Sequence, residues 1–331
     1  MYLYMLEINN TGNHKPLVMV TGANGFVGKA LVKALNKQDV SVRRCMRDIT
    51  PTVSDPESVF ISGDINELTN WSDALAGVGV IVHTAARVHV MDERSSNPIV
   101  EFRRVNVLAT INLARQAAKV GVKRFIYLSS VKVNGEASEF GCAFKASDPP
   151  RPLGAYAISK SEAEVELLGL AKETGLEVVI IRPPLVYGAG VKANFSLLTR
   201  AVRLGLPLPF GKITENRRSM VSLNNLVDFI TVCLDNQSAN NEIFMISDGH
   251  DISTADLVMR MAKIIGSNTC LVPIPVPVLK KLALVFGKTD LIERLTGNLQ
   301  VDINKNISLL NWTPKANLNE NLASALDSIS N

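Results

Sequence analysis

The chain has 331 residues, 47% apolar and 20% charged, enough for a substantial core in one large or two unequal domains. A formal net charge of +4 is too small to point to nucleic acid, and four scattered cysteines without a C-x-x-C pair exclude a disulfide or zinc framework, so no metal site is expected. No apolar run reaches membrane-spanning length and residues 1–6 are too short for a secretory signal, so a cytoplasmic protein without stable membrane insertion is expected.

Residues 1–16 read as a poorly ordered leader, broken by Asn9, Asn10, Gly12, Asn13 and Pro16. Residues 17–20 then form a short apolar strand, Gly22, Gly25 and Gly28 a turn, and residues 29–35 the start of an amphipathic helix. Glycines at this spacing let a backbone turn sharply and a pyrophosphate approach the main chain, while the helix offers unpaired N–H groups and its positive dipole end. The turn, with Asn24, Phe26 and Val27 between its glycines, is a candidate dinucleotide site.

Residues 40–46 alternate as a second strand. An acid that takes the ribose 2′-hydroxyl is expected about 20 residues past the glycines. Met46 and Arg47 stand there instead, with Arg44 nearby. A guanidinium binds a 2′-phosphate through a forked pair of hydrogen bonds, so NADP(H) is preferred and NAD(H) is the alternative, with Arg47 solvated and Asp48 on the ribose.

Residues 59–65 read as a strand ending at Gly63-Asp64, which sets Asp64 and Ile65 beside an adenine edge, and residues 71–75 as a short helix. Residues 78–82 form another strand, ending in His83, Thr84, Ala85 and Ala86, whose small side chains allow a cofactor against the backbone. His83 is read as a satisfied core residue, and Arg87 and His89 as substrate contacts or loop surface. A helix over 101–120 buries Val105, Leu108, Ile111, Leu113, Ala114 and Ala117, with Asn106 either bridging backbone or holding a water near the site. A strand over 122–128 delivers Ser129 and Ser130. This alternation predicts an α/β fold, a Rossmann-type doubly wound parallel sheet with ligands outside the carboxyl ends of its strands.

The helix over 155–173 carries Tyr156 and Lys160 four apart, on one face. A phenol of ordinary pKa is a poor base at neutral pH, but a neighbouring ammonium favours its ionised form. With a serine hydroxyl from Ser130 on the same substrate oxygen, these parts move a proton on or off an alcohol as hydride leaves or arrives.

These segments, with Arg182-Pro183-Pro184-Leu185-Val186-Tyr187-Gly188, resemble the extended short-chain dehydrogenase/reductase family of nucleotide-sugar epimerases, dehydratases and reductases, from about residue 17 onward. The resemblance implies catalytic Ser130, Tyr156 and Lys160. It implies cofactor contacts at the glycine turn, Asp64, Ile65, Thr84, Ala85, Ala86, Asn106, Tyr156, Lys160 and Pro183. Residues 17–182 would be the dinucleotide-binding domain and 183–331 mainly a smaller α/β substrate domain, with chain returns to the core allowed. There Asn194, at a helix start, and Arg218 match diphosphate contacts of the family, Arg294 is a further candidate, and Arg217 is read as solvated. Residues 309–314 resemble the family's closing Leu-Gly-Trp-x-Pro segment, with Asn311 replacing the glycine and Trp312 structural. The Pro-punctuated stretch 272–277 and the apolar helix after it, to Phe286, could cap the pocket or touch a membrane surface, with packing preferred. The resemblance also implies a homodimer, since members of the family often pair through helices beside the Tyr-Lys helix.

Dehydratases of the family place an Asp-Glu pair after the active-site hydroxyl residue, where this chain has Val131 and Lys132. Arg47, together with segments at 87–91 and 294–302 that resemble one branch, points to a reductase acting on the C4 ketone of a UDP-4-keto-6-deoxy-hexosamine for surface polysaccharide. The alternatives are a UDP-hexose 4-epimerase with retained NAD and a non-catalytic NAD(P)-binding sensor.

Overall fold

The structure, a computed structural model, describes residues 16–48, 58–88, 97–191 and 194–327, with Asn194 and Asp327 as backbone only. Residues 1–15 of the expected leader lie outside the described residues.

Strands β1 (Leu17–Thr21), β2 (Val42–Met46), β3 (Val59–Ile61), β4 (Val78–His83), β5 (Arg124–Leu128) and β6 (Glu177–Arg182) alternate with helices α1 (Phe26–Asn36), α2 (Ser72–Leu75), α3 (Pro98–Arg103), α4 (Ala109–Lys119) and α5 (Gly154–Thr174). Past Pro183-Pro184 the chain forms β7 (Leu185–Tyr187), α6 (Asn194–Arg203), β8 (Met220–Ser222) and α7 (Leu223–Val232). It then runs through β9 (Ile243–Met245), α8 (Thr254–Ile265), α9 (Val276–Val285), α10 (Thr289–Thr296), α11 (Asn304–Leu310) and α12 (Leu318–Asp327). Seven strands make one parallel sheet in the order β3-β2-β1-β4-β5-β6-β9, the doubly wound arrangement expected, and β7 pairs with β8 in a separate parallel ribbon.

Parallel strands buried on both faces read as continuous apolar runs because each face meets a helix layer. In β1, Val18 and Val20 face Leu31 and Leu35 of α1 and Phe229 and Ile230 of α7, whereas Met19 faces Leu113 of α4 and Leu167 of α5. Register pairs such as Val18↔Val42 and Val20↔Val82 hold these faces in line, since a one-residue slip would exchange the two layers. A third core joins Phe195 and Val202 of α6, Val258 and Met261 of α8 and Leu322 of α12. The outer edge of β9 is covered by α11, where Asn306 Nδ2 donates to the Met245 carbonyl and Lys305 Nζ to that of Ile243, both at 2.8 Å.

Two elements differ from the sequence reading. β3 stops at Ile61, and residues 62–65 already belong to the turn. The helix expected over 101–120 is interrupted by a π segment, Arg104–Leu108. The wider turn inserts one residue and rotates the faces: Leu108, expected inside, is 48% exposed, Val105 is only half-buried, and Asn106 points inward. At the closing segment Asn311 adopts φ 51°, a left-handed helix end that glycine or asparagine tolerates, and the Trp312 indole donates to Asp228 at 2.8 Å.

Candidate active site

The carboxyl ends of β1, β4, β5 and β6 open onto one crevice because all these strands run the same way. At β1 the chain turns through Gly22 at φ 65°, where a Cβ would stand 2.9 Å from the Ala85 nitrogen. Gly28 packs tighter still, a Cβ there meeting the Gly22 carbonyl oxygen at 2.2 Å. Helix α1 starts beyond Gly25 with no side-chain cap and no acid in its first turn, which leaves its N–H groups for an anion. Asn24 and Gly25 are exposed, and Phe26 and Val27 pack half-buried against the core. Across the turn, the Thr84 hydroxyl donates to the Thr21 carbonyl at 2.6 Å, and Ala85 and Ala86 leave the strand end low. These features fit a dinucleotide lying over β1 and β4.

At the adenosine end, Arg47 is held by Asp64, with Nε 2.9 Å from the carboxylate, and both side chains are exposed. Ile65 is half-buried beside them. His83 is the core residue expected: 1% exposed, it bonds the hydroxyls of Thr21 at 2.9 Å and Thr110 at 3.0 Å. Burial lowers its pKa to about 3, with the Lys160 charge adding to the effect.

The crevice floor carries the expected trio. Ser130 caps a short 3₁₀ turn after β5, its hydroxyl accepting from the Lys132 N–H at 3.2 Å, and it acts on the Tyr156 phenol from the first turn of α5. The Phe102 ring meets Tyr156 edge-on at 6.1 Å, and the Arg87 guanidinium lies over that ring at 5.4 Å. Arg87 is oriented through its backbone, since the Asn106 side chain bonds its N–H at 2.8 Å and its carbonyl at 3.0 Å. Asn106 therefore bridges backbone, and its amide also reaches the Ser159 hydroxyl at 3.0 Å. Pro183, buried after β6, accepts from the Val131 N–H at 3.0 Å and ties that end to the Ser130 turn.

Lys160 is held at the end of β5. Its ammonium donates to the Leu128 carbonyl at 2.8 Å and sits 4.5 Å above the Tyr127 ring. Burial lowers its pKa to about 7, against a raising effect from Glu164. Tyr156 is pushed up to about 12 by burial, with Ser130 pulling it down.

Behind the trio stands a buried network that sequence reasoning missed. Glu164, 3% exposed, accepts from the Ser129 hydroxyl and from Arg182, whose Nη1 donates to Asn134 at 2.9 Å. The available signal was Glu164 one helical turn after Lys160, on the same face.

On the substrate side, Arg218 is anchored by backbone pairing with Ile252, and its Nη1 donates to the Gly297 carbonyl at 3.2 Å. Burial first and the positive charge of Arg294 second lower its pKa, while Glu136 raises it. Half-buried Arg218 and exposed Arg294, two guanidiniums that repel one another, form an attractive place for an anion. Glu136 also accepts from Lys132 at 2.7 and 2.9 Å. Arg217, expected to be solvated, folds its guanidinium onto the carbonyls of Thr214, Glu215 and Asn216. His89 and the side chain of Asn194 lie outside the described residues.

The family model described as the NAD dependent epimerase/dehydratase family matches residues 18–247. A UDP-glucose 4-epimerase from Vibrio cholerae is 48% identical over 313 residues, spanning 94% of this chain and 95% of that protein. Among solved structures, MoeE5 in complex with UDP-glucuronic acid and NAD is 25% identical with a TM-score of 0.74, over 95% of this chain and 98% of that one. A UDP-glucuronic acid 4-epimerase from Bacillus cereus in complex with NAD shares the fold, with a TM-score of 0.74 at 22% identity over 95% and 98% of the two chains.

The Vibrio relative overturns the expected 4-ketoreductase, because a similarity this extensive runs to a 4-epimerase. Arg47, on which the reductase reading leaned, has its Nε 2.9 Å from the Asp64 carboxylate, both side chains exposed. A match that begins in β1 and ends just past β9, with a relative aligned over almost the whole length, places the chain in the NAD-dependent epimerase/dehydratase family.

Proposed function

We propose that this protein is a UDP-hexose 4-epimerase that retains NAD through each turnover. The observation that carries the chemistry is that Ser130, at the end of β5, and Tyr156 and buried Lys160, on α5, meet at the carboxyl edge of the sheet, where Lys160 Nζ donates to the Leu128 carbonyl at 2.8 Å. The similarity to a UDP-glucose 4-epimerase favours epimerisation over the other reactions of the family. Val131 and Lys132 after Ser130 supply no carboxylate pair for elimination.

In this reading Tyr156 takes the proton from the C4 hydroxyl and later returns it, while Ser130 holds the same oxygen. Bound NAD supplies a carbon that accepts the C4 hydride and gives it back. Arg218 and Arg294 anchor the diphosphate, leaving the 4-keto hexose to present either face. Gly22, Gly25 and Gly28 with the first turn of α1 receive the pyrophosphate; Thr84, Ala85, Ala86 and Pro183 border the nicotinamide half. We assign NAD over NADP because Asp64 pairs with Arg47, the guanidinium on which the case for a 2′-phosphate leaned. A homodimer would use the α3–α5 face, where Val100, Leu108 and Val165 are exposed.

The test is incubation of purified protein with UDP-galactose without added dinucleotide. UDP-glucose should form, and denatured protein should release NAD. Failure to interconvert any UDP-hexose pair, with no dinucleotide released, would overturn the reading. Arg218→Ala should raise the KM for the UDP-sugar roughly thirtyfold, from the loss of about 2 kcal/mol of charge-assisted hydrogen bonding, with NAD content unchanged. Initial-rate kinetics on the parent and the variant, with a count of bound NAD, check it.

A further inference from the structure

Among the described residues, seven of the twenty-three exposed large apolar side chains fall between Val272 and Leu291, the densest such cluster. Helix α9 buries Leu279 and Ala283, while Val278 and Leu282 face solvent. At its end Leu284, Val285 and Phe286 are 72%, 78% and 72% exposed. A helix that only packed against the core would hide its large apolar residues along one stripe. This one buries a narrow stripe and leaves a wider apolar surface outside.

Charge decides what meets that surface. Lys280, Lys281 and Lys288 are exposed in the same stretch, and residues 276–289 contain no Asp or Glu; the nearest acids, Asp290 and Glu293, belong to α10. Lysine is depleted in the cores of protein–protein interfaces. Aliphatic and aromatic side chains flanked by lysines, whose stems lie along apolar surface while their ammonium groups reach out, suit an interface with anionic headgroups.

We propose that α9 and the turn into α10 form a peripheral docking surface for an anionic lipid bilayer. Leu284, Val285 and Phe286 enter the headgroup–acyl boundary and the three lysines engage lipid phosphates. No helix among the described residues is long and apolar enough to cross a membrane, so the contact lies in the plane of the surface. Arg294, whose charge bears on Arg218, stands in the last turn of α10, so a docked molecule carries the anion end of its pocket close to the lipid.

The test is cosedimentation of the full-length protein with vesicles of equal parts phosphatidylcholine and phosphatidylglycerol, against vesicles of phosphatidylcholine alone. Three lysines near an anionic surface should favour the mixed vesicles by about a hundredfold, and added salt should erode the preference. Leu284→Glu with Phe286→Glu should abolish sedimentation while circular dichroism and NAD content stay at the parent level. Lys280→Glu with Lys281→Glu should remove the preference for anionic lipid. Sedimentation with neither vesicle, or equally with both, would overturn the proposal. So would a parent protein whose oligomer dissolves in the Leu284/Phe286 variant without vesicles, since a second copy would then cover this face.

Discussion

Tyr156→Phe should slow interconversion of UDP-galactose and UDP-glucose by about 10³-fold, within the range usual for removal of a general acid–base group, while bound NAD is retained. The substitution deletes one oxygen. The ring keeps its edge contact with Phe102, and the glycine turn, with α1 behind it, is untouched. What disappears is the phenol oxygen, on which Ser130 acts and which is the proton acceptor in this reading. A rate within tenfold of the parent would remove Tyr156 from the chemistry. Loss of NAD together with activity would instead make it a binding residue. Rates in both directions, with NAD counted after denaturation, separate these results.

Lys160→Met should lower the rate at pH 8 by on the order of 10² and shift its pH dependence. The sign follows from the proton inventory of the pair. At low pH both groups are protonated and no base exists. Burial brings Lys160 to about 7 and holds Tyr156 near 12, so one proton leaves the pair as pH rises through about 7. The one-proton state includes the phenolate–ammonium arrangement, and its share no longer changes with pH until the second proton leaves. kcat/KM should therefore rise with pH to a plateau whose midpoint is no higher than about 7. Methionine offers a similar stem without charge, so the variant's rate should keep rising with pH toward the tyrosine's own value. An unchanged profile in the variant would mean that Lys160 only holds the Leu128 carbonyl.

The parts legible in the sequence are those carried by neighbours along the chain. The strand, glycine turn and helix of residues 17–36, and the i, i+4 pairing of Tyr156 and Lys160, are local patterns whose geometry follows from 3.6 residues per turn and the reach of a glycine. Asn311 in place of a glycine was also readable, because few side chains accept a left-handed backbone. The alternation of strands and helices was sufficient for a parallel sheet with its ligands at one edge, since right-handed crossovers leave few other arrangements.

What only the tertiary structure decided are contacts between residues far apart in sequence. Arg47 was read as a phosphate ligand from its place after β2, and folding sets the Asp64 carboxylate 2.9 Å from it, a pairing that local pattern does not announce. The helical spacing set Lys160 on the face of Tyr156, and only folding added the Leu128 carbonyl and the Tyr127 ring that hold its ammonium. The π turn at Arg104–Leu108 leaves no mark on apolar periodicity, because a single inserted residue shifts the phase only within one turn. Glu164 with Arg182, and Arg218 against Arg294, are charges whose partners are chosen by the sheet and by burial. Local propensity acts through the covalent chain and can be read from it, whereas the energy of a charge depends on what folding sets beside it and how much water it removes.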